Sequence, residues 1–288
     1  MCSPASFVLT KDKIFWGTES DSHDEIIAEH KLHADGVRGA NIVRVEITPQ
    51  HGNFLLPIDE WTYKLDQDDK PKWYDATECE ALVRTTLPEW MAAKIVLPEQ
   101  KIERVTDRNL VAVYGDIQSV EGGTIQSVRG GTIQSVYSGT IQSVEGGTIQ
   151  SVYSGTIQSV EGGTIQSVEG GTIQSVRGGT IQYVEGGTIQ DVYSGTIQSV
   201  YSGTIQSVYG GTIQSVRGGT IQSVEGGTIQ SVEGGTIQSV YGGTIQSVRG
   251  GFDLSVLHGP QAVLIDRSGA VPVCYVGIQP IESEAPND

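Results

Sequence analysis

The chain has 288 residues, a formal net charge of −16 and 38 glycines, about twice the ordinary glycine share of roughly 7%. The acidity is spread out: residues 1–115 carry a net −7, residues 116–259 carry −6 and residues 260–288 carry −3. A surface of that sign repels phosphate backbones and anionic lipid, so neither nucleic acid nor a membrane is an expected partner. Three widely spaced cysteines, Cys2, Cys79 and Cys274, do not make a disulfide framework and fit a reducing compartment. No apolar run approaches the ~20 residues that span a bilayer. The opening MCSPASFVLTKDK lacks a basic stretch followed by an apolar one, so secretion by a signal peptide is not expected.

Residues 1–107 have ordinary composition and read as a small α+β head. FVLTKDKIFWG alternates about a turn and predicts a hairpin over 7–16. Ser22 and Glu25 have capping-box spacing and predict a helix running to about His33. NIVRVEIT predicts a strand near 42–48, and WTYKLD another at 61–66. Asp75 and Glu78 repeat the capping-box spacing and start a helix carrying Leu82 and Val83. Pro88 then suggests a break, with a second helix from there to about Ile95. A head of this kind can cover the open end of a repeat array.

Residues 108–259 are built on an octad, T-I-Q-S-V-x-G-G. Sixteen copies begin with Thr, from Thr124 to Thr244, with worn copies before (Asp116 to Gly123) and after (Phe252 to Gly259). Short β-branched runs separated by Gly pairs are strand and turn chemistry; a helix would lose ~1 kcal/mol at every Gly. Five strand residues and a tight turn are too few to close a coil, so two or three octads must share one. Residue x decides between them, because residues one coil apart lie ~4.8 Å apart. Sixteen-residue coils bring together Arg129/Glu145, Glu161/Arg177, Arg217/Glu233 and Glu233/Arg249, against the like pairs Glu145/Glu161 and Glu169/Glu185. They also stack Tyr137 on Tyr153 and Tyr193 on Tyr209. Twenty-four-residue coils give one opposite pair and three like pairs. The expected fold is therefore a β-solenoid of stacked sixteen-residue coils, about 43 Å tall for nine coils.

Substitutions between copies orient the side chains. The Ser position accepts Tyr183 and Asp191, and x accepts Glu, Arg or Tyr, so both face outward, while Val and the unvarying Ile face inward. Ile and Val are three apart, which requires a bend near Gln. The Gln side chains either form an amide ladder or face water. The Gly pair is expected to supply positive-φ turn positions. Inward and turning residues must repeat identically in such a stack, whereas x is free to vary.

Residues 260–288 contain two apolar runs flanking DRSG, read as C-terminal cap strands, and end in the polar, disordered-type QPIESEAPND.

SDSHDEIIAEHKL, NIVRVEIT and WTYKLDQDDKPKWYD together resemble the head of a family of uncharacterised phage and bacterial proteins. That head carries a D-x-x-P-x-W-Y-D phrase, here Asp68 to Asp75, before tandem octads resembling T-V-Q-N-V-x-G. The resemblance implies a phage or prophage origin, with a place in the host cytoplasm or the virion, and no particular activity. The period of the repeat is also similar to that of bacterial ice-nucleation proteins, with Thr-Ile-Gln where those proteins have a Thr-x-Thr row.

Chemistry-bearing motifs are few. His23, His30 and His33 share one predicted helix, with His30 and His33 at i, i+3, but no cysteine is nearby and no metal is expected. Asp66, Asp68 and Asp69 resemble a fragment of a calcium loop without its Gly and distal Glu. Trp61, Trp73, Tyr74 and Trp90 read as core and rim of the head. With no catalytic signature and no cofactor motif, the expected function is non-enzymatic. It is a structural spacer or protein-binding surface, with an unknown protein or another copy of the chain as partner. Its candidate contacts are Tyr137, Tyr153, Tyr193, Tyr201, Tyr209 and Tyr241 with Arg129, Arg177, Arg217 and Arg249. An acidic DNA mimic, an ordered-water surface of the ice-nucleation kind and an unrecognised enzyme in the head are the alternatives. The first is weakened by magnitude: −6 over about 43 Å is one charge per ~7 Å, against one per ~1.7 Å in duplex DNA.

Overall fold

The computed structural model describes residues 5–32, 41–249, 252–257, 263–266 and 273–276. The chain forms two compact units: Met1–Leu97 with Arg108–Ala112, and Pro98–Asp107 with Val113–Asp288.

In the first unit a four-stranded antiparallel sheet has the order β2-β1-β3-β4, built from β1 (Ser6–Leu9), β2 (Ile14–Phe15), β3 (Val43–Thr48) and β4 (Thr62–Leu65). Pairing of Phe7 with Val45 and of Leu9 with Val43 puts those residues on one face. Ser6, Val8, Arg44 and Glu46 are on the other, which α1 (His23–Glu29) covers through Val8, Ile26 and Ile27. The predicted hairpin and both strands are present. α1 begins after Ser22 as expected, but the Ser22 side chain makes no cap bond; its backbone carbonyl accepts from the Ile26 N–H instead. The helix ends at Glu29, not near His33, and His33 lies outside the described residues.

Asp75 caps α2 (Ala76–Lys94) by accepting from the Thr77 and Glu78 N–H groups. The expected break at Pro88 does not occur: α2 is one helix with Pro88 inside it. Cys79, Val83, Leu87, Trp90 and Lys94 form a single buried stripe across the proline. Full burial of Val83, Leu87 and Trp90, at ~1.5–3 kcal/mol for each large apolar side chain, outweighs the ~3 kcal/mol that an interior proline costs.

The second unit is a β-solenoid. Successive strands alternate between two parallel sheets, and each pairs with the strand sixteen residues away: Thr132 with Thr148, Ile133 with Ile149, Val136 with Val152. Every repeat Ile from Ile117 to Ile245 is fully buried, as is nearly every Val. Pairing passes from Ile133 to Ser135 and omits Gln134, and the same omission recurs from rung to rung. That is where the strand must roll to bring side chains three apart to the same side. The Gln side chains are exposed or half-exposed. Among the described residues of the repeat they make no amide ladder, which settles the two readings of Gln in favour of water.

Two details depart from expectation. Only the second Gly of each pair has positive φ, for example Gly147 at 71° and Gly163 at 66°. The first is Gly for space: a Cβ on Gly162 would stand 2.3 Å from the Glu145 carbonyl oxygen of the coil below. Ser nevertheless takes that place at Ser138, Ser154, Ser194 and Ser202, where its N–H reaches the carbonyl below at 3.3 Å, within the 3.0–3.3 Å span of the glycines at the same position. The worn copy after Gly251 is also displaced by one residue. Thr236 pairs with Asp253 and Ile237 with Leu254, so Leu254 and Leu257 take the Ile and Val positions. The octad alignment would have put Asp253 at an inward site, where an unpaired charge is prohibitive.

A further coil strand escaped the octad pattern. Lys101–Val105, KIERV, keeps the I-x-x-V spacing and pairs Ile102 with Ile117 and Val105 with Val120. At the other end Val263–Asp266 adds in parallel to Thr244–Val248, and Val273–Val276 pairs antiparallel with it. The turn between those two strands and the polar end from Gln279 lie outside the described residues.

Candidate functional site

Because each coil has two turns, the x residues fall into two rows, one at each edge of the solenoid. Tyr137, Tyr153, Tyr201, Arg217 and Arg249 follow strands of one sheet. Arg129, Arg177, Tyr193, Tyr209 and Tyr241 follow strands of the other. A single ten-residue contact face is therefore ruled out, and Tyr201 is not a neighbour of Tyr193 and Tyr209.

Within each row the stacking follows the sixteen-residue spacing. Tyr137 and Tyr153 stack at 4.9 Å between ring centroids with 7° between planes, and Tyr193 and Tyr209 at 5.0 Å and 10°. Arg129 pairs with Glu145 and Arg217 with Glu233, each at 3.3 Å. The other two expected ion pairs are not formed among the described residues. Arg177 lies over the Tyr193 ring at 5.9 Å and donates from Nε to the Ser175 hydroxyl at 3.2 Å. Glu233 is engaged by Arg217 rather than Arg249. Arg217 also lies over the Tyr201 ring at 5.4 Å and donates from Nη1 to its hydroxyl oxygen at 2.8 Å.

The Ser residues between these side chains are mostly half-covered, and Ser127 is buried. Ser127 Oγ donates to Glu145 Oε1 at 2.8 Å and accepts from Arg129 Nε at 3.1 Å. The exposed Tyr183, at a Ser position, joins the first row by packing against Tyr201 at 6.2 Å. Sequence reading passed over it because it is not an x residue. The signal was its offset of eighteen from Tyr201, one coil plus two residues, which makes the two diagonal neighbours.

The first unit holds a different arrangement. Lys94 is buried at the end of α2 and donates from Nζ to the Thr18 carbonyl at 2.6 Å. Burial lowers its pKa, and the nearby carboxylate of Asp21 acts in the opposite sense. Asp21 is pushed up to about 6 by desolvation, with the Lys94 charge and the Trp90 indole N–H pulling it back. Asp21 Oδ1 and Trp90 Nε1 are both buried without a well-formed hydrogen bond. The folded head thus holds a proton on Asp21 that the unfolded chain releases near its ordinary pKa of 3.8. Stability from this group is fully present below pH 4 and is lost as pH rises through about 6. Asp21→Asn should flatten that slope and leave the protein more stable than wild type above pH 6. Tryptophan fluorescence melts report this unit alone, since Trp16, Trp61, Trp73 and Trp90 all lie in it.

His30, one of the three histidines expected on α1, stands just past its end as a packing residue: its Nε2 lies 3.1 Å from the Trp16 carbonyl and its ring 5.0 Å from that of Phe15. Trp61 and Trp90 are core residues, and Trp73 and Tyr74 are half-buried. No helix among the described residues is long and apolar enough to cross a membrane. No family model, curated protein or solved structure matches the chain.

Proposed function

We propose that the chain is a non-enzymatic, phage-type β-solenoid that serves as a structural spacer and protein-binding surface, engaging a protein partner or a second copy of itself through its edge rows. One observation carries this reading. Seven tyrosines of the repeat are 39–49% exposed on a frame whose other outward positions are mostly small or polar. Solvent-facing positions do not require an aromatic residue. Tyr and Arg are the residues enriched in interface cores, where they supply large rigid contact area at low entropic cost. The phage-type origin rests on the head resemblance.

The two-row geometry gives the test. Tyr193→Ser with Tyr209→Ser alters one edge, and Tyr137→Ser with Tyr153→Ser alters the other. Each double variant removes one stack, worth ~0.5–1.5 kcal/mol, so melting should shift by only a few degrees. Binding should respond at one edge: two buried anchors at ~2 kcal/mol each predict a loss of several hundredfold in partner capture or self-association. Sedimentation and pull-down on the same samples read both. A lower melting temperature with intact binding in both doubles excludes the rows as the recognition surface.

A further inference from the structure

In the first unit, His23 at the start of α1 is 96% buried, and both of its ring nitrogens face oxygen. Nε2 lies 3.1 Å from the Val45 carbonyl oxygen. A carbonyl only accepts, so Nε2 carries the proton. Nδ1 lies 3.3 Å from Asp66 Oδ2, long for a charge-assisted N–H···O bond at ~2.7–2.9 Å. In the neutral ring, Nδ1 bears a lone pair that would face the lone pairs of a carboxylate. The contact becomes attractive only when a cation stands at Nδ1, either a second proton or a metal ion.

The third group present discriminates between the two. Glu46 on β3 pairs with Lys64 on β4, so Asp66, two residues on, projects to the same face of the sheet. Ligand atoms of His23, Glu46 and Asp66 all lie within 4.8 Å of one another. A proton needs one carboxylate; one nitrogen and two carboxylates gathered this closely match a divalent ion in charge and donor type. Tetrahedral bonds of ~2.0–2.1 Å put ligand atoms about 3.3 Å apart; the Nδ1–Asp66 Oδ2 separation has that value, and Glu46 lies within 4.8 Å of both. The Nε2–H bond to a backbone carbonyl is the support that metal-ligating histidines characteristically have. Lys64 Nζ is 3.6 Å from the other oxygen of Asp66, Oδ1; its side chain is 66% exposed and can swing away.

We propose that His23 Nδ1, Glu46 and Asp66 form a site for a divalent first-row cation of the zinc type. The ion clips α1 to β3 and β4, and water completes its coordination from the exposed side of Asp66. The inference is independent of the binding role given to the solenoid.

The test uses the full chain, freed of metal by chelation and titrated with Zn2+ by calorimetry, with Co2+ absorption as a second probe of coordination. One equivalent per chain is expected, with the head melting at higher temperature once loaded. Long-range 1H–15N spectra should show Nδ1 of His23, and not Nε2, changing on Zn2+ addition. Asp66→Asn and Glu46→Gln should each weaken Zn2+ binding at least tenfold, and Lys64→Ala should strengthen it by removing a competing cation. His23→Gln should abolish binding; because that side chain is buried, the decisive variant is Asp66→Asn at the more exposed carboxylate. The proposal is overturned by absence of saturable Zn2+ uptake, by uptake unchanged in Asp66→Asn and Glu46→Gln, or by an Nδ1 proton that Zn2+ does not displace.

Discussion

Val200→Asp should break the solenoid, whereas Ser199→Asp should scarcely disturb it. Val200 is fully buried and pairs with Val184 below and Val216 above, so the introduced carboxylate would have only aliphatic neighbours. Burying an unpaired charge in a close-packed interior belongs to the few mechanisms that cost more than ~4 kcal/mol. In a linear stack whose coils touch only their neighbours, the damage should appear as a split or broadened melt. Acid should partly restore cooperativity, because the protonated carboxyl is cheaper to bury. Ser199 stands outward between Tyr183 and Ser215. Asp191 already holds the equivalent place in the other sheet, between Ser175 and Ser207, so Ser199→Asp should cost less than ~1 kcal/mol. Equal damage from the two substitutions, read by calorimetry, would contradict the inward and outward assignment.

The second large effect is expected at the turns. Gly163→Ala should destabilise by ~3 kcal/mol or more, by combining two penalties. The backbone is left-handed at φ 66°, costing ~1–2 kcal/mol for a residue with a Cβ. The added methyl would also stand 2.7 Å from the Gly147 carbonyl oxygen, part of an identical turn that cannot retreat without disturbing the coil below it. Gly162→Ser, one residue earlier, should cost about 1 kcal/mol, the lower end of local backbone strain. Ser138, Ser154, Ser194 and Ser202 show that this position accepts a side chain while its N–H keeps its bond to the carbonyl of the coil below. The comparison matters because the two glycines look interchangeable in the sequence. A larger loss from Gly162→Ser than from Gly163→Ala in chemical denaturation would reverse the roles assigned to them.

These predictions depend on parts of the molecule that were legible to different degrees. The sixteen-residue coil could be read from the x residues because the octads vary in charge almost nowhere else, and stacked neighbours must tolerate one another electrostatically. The Tyr137/Tyr153 and Tyr193/Tyr209 stacks followed at once. The strand Lys101–Val105 was missed because only its two inward residues keep the pattern. That is physically sufficient, since Val105 is buried and Ile102 half-buried where they pair with Val120 and Ile117.

Competing interactions decided the rest. Two of four expected ion pairs gave way because Arg177 has a tyrosine face and a hydroxyl within reach, and because Glu233 can be shared only so far between Arg217 and Arg249. At an exposed edge such alternatives differ by less than ~1 kcal/mol, below what spacing can resolve. Pro88 stayed inside α2 because Val83, Leu87 and Trp90 are buried on one face, a tertiary gain that local propensity does not contain. The cluster of His23, Glu46 and Asp66 is the extreme case, joining a helix start to two strands through pairings some twenty residues apart. By itself, then, the sequence determined the solenoid, its period and its core, since those are local patterns repeated in register. Only the tertiary structure decided how the x residues divide between two edges, how the proline helix is held, and which polar groups of the head meet. Each of these depends on what chain-distant neighbours offer in competition with water.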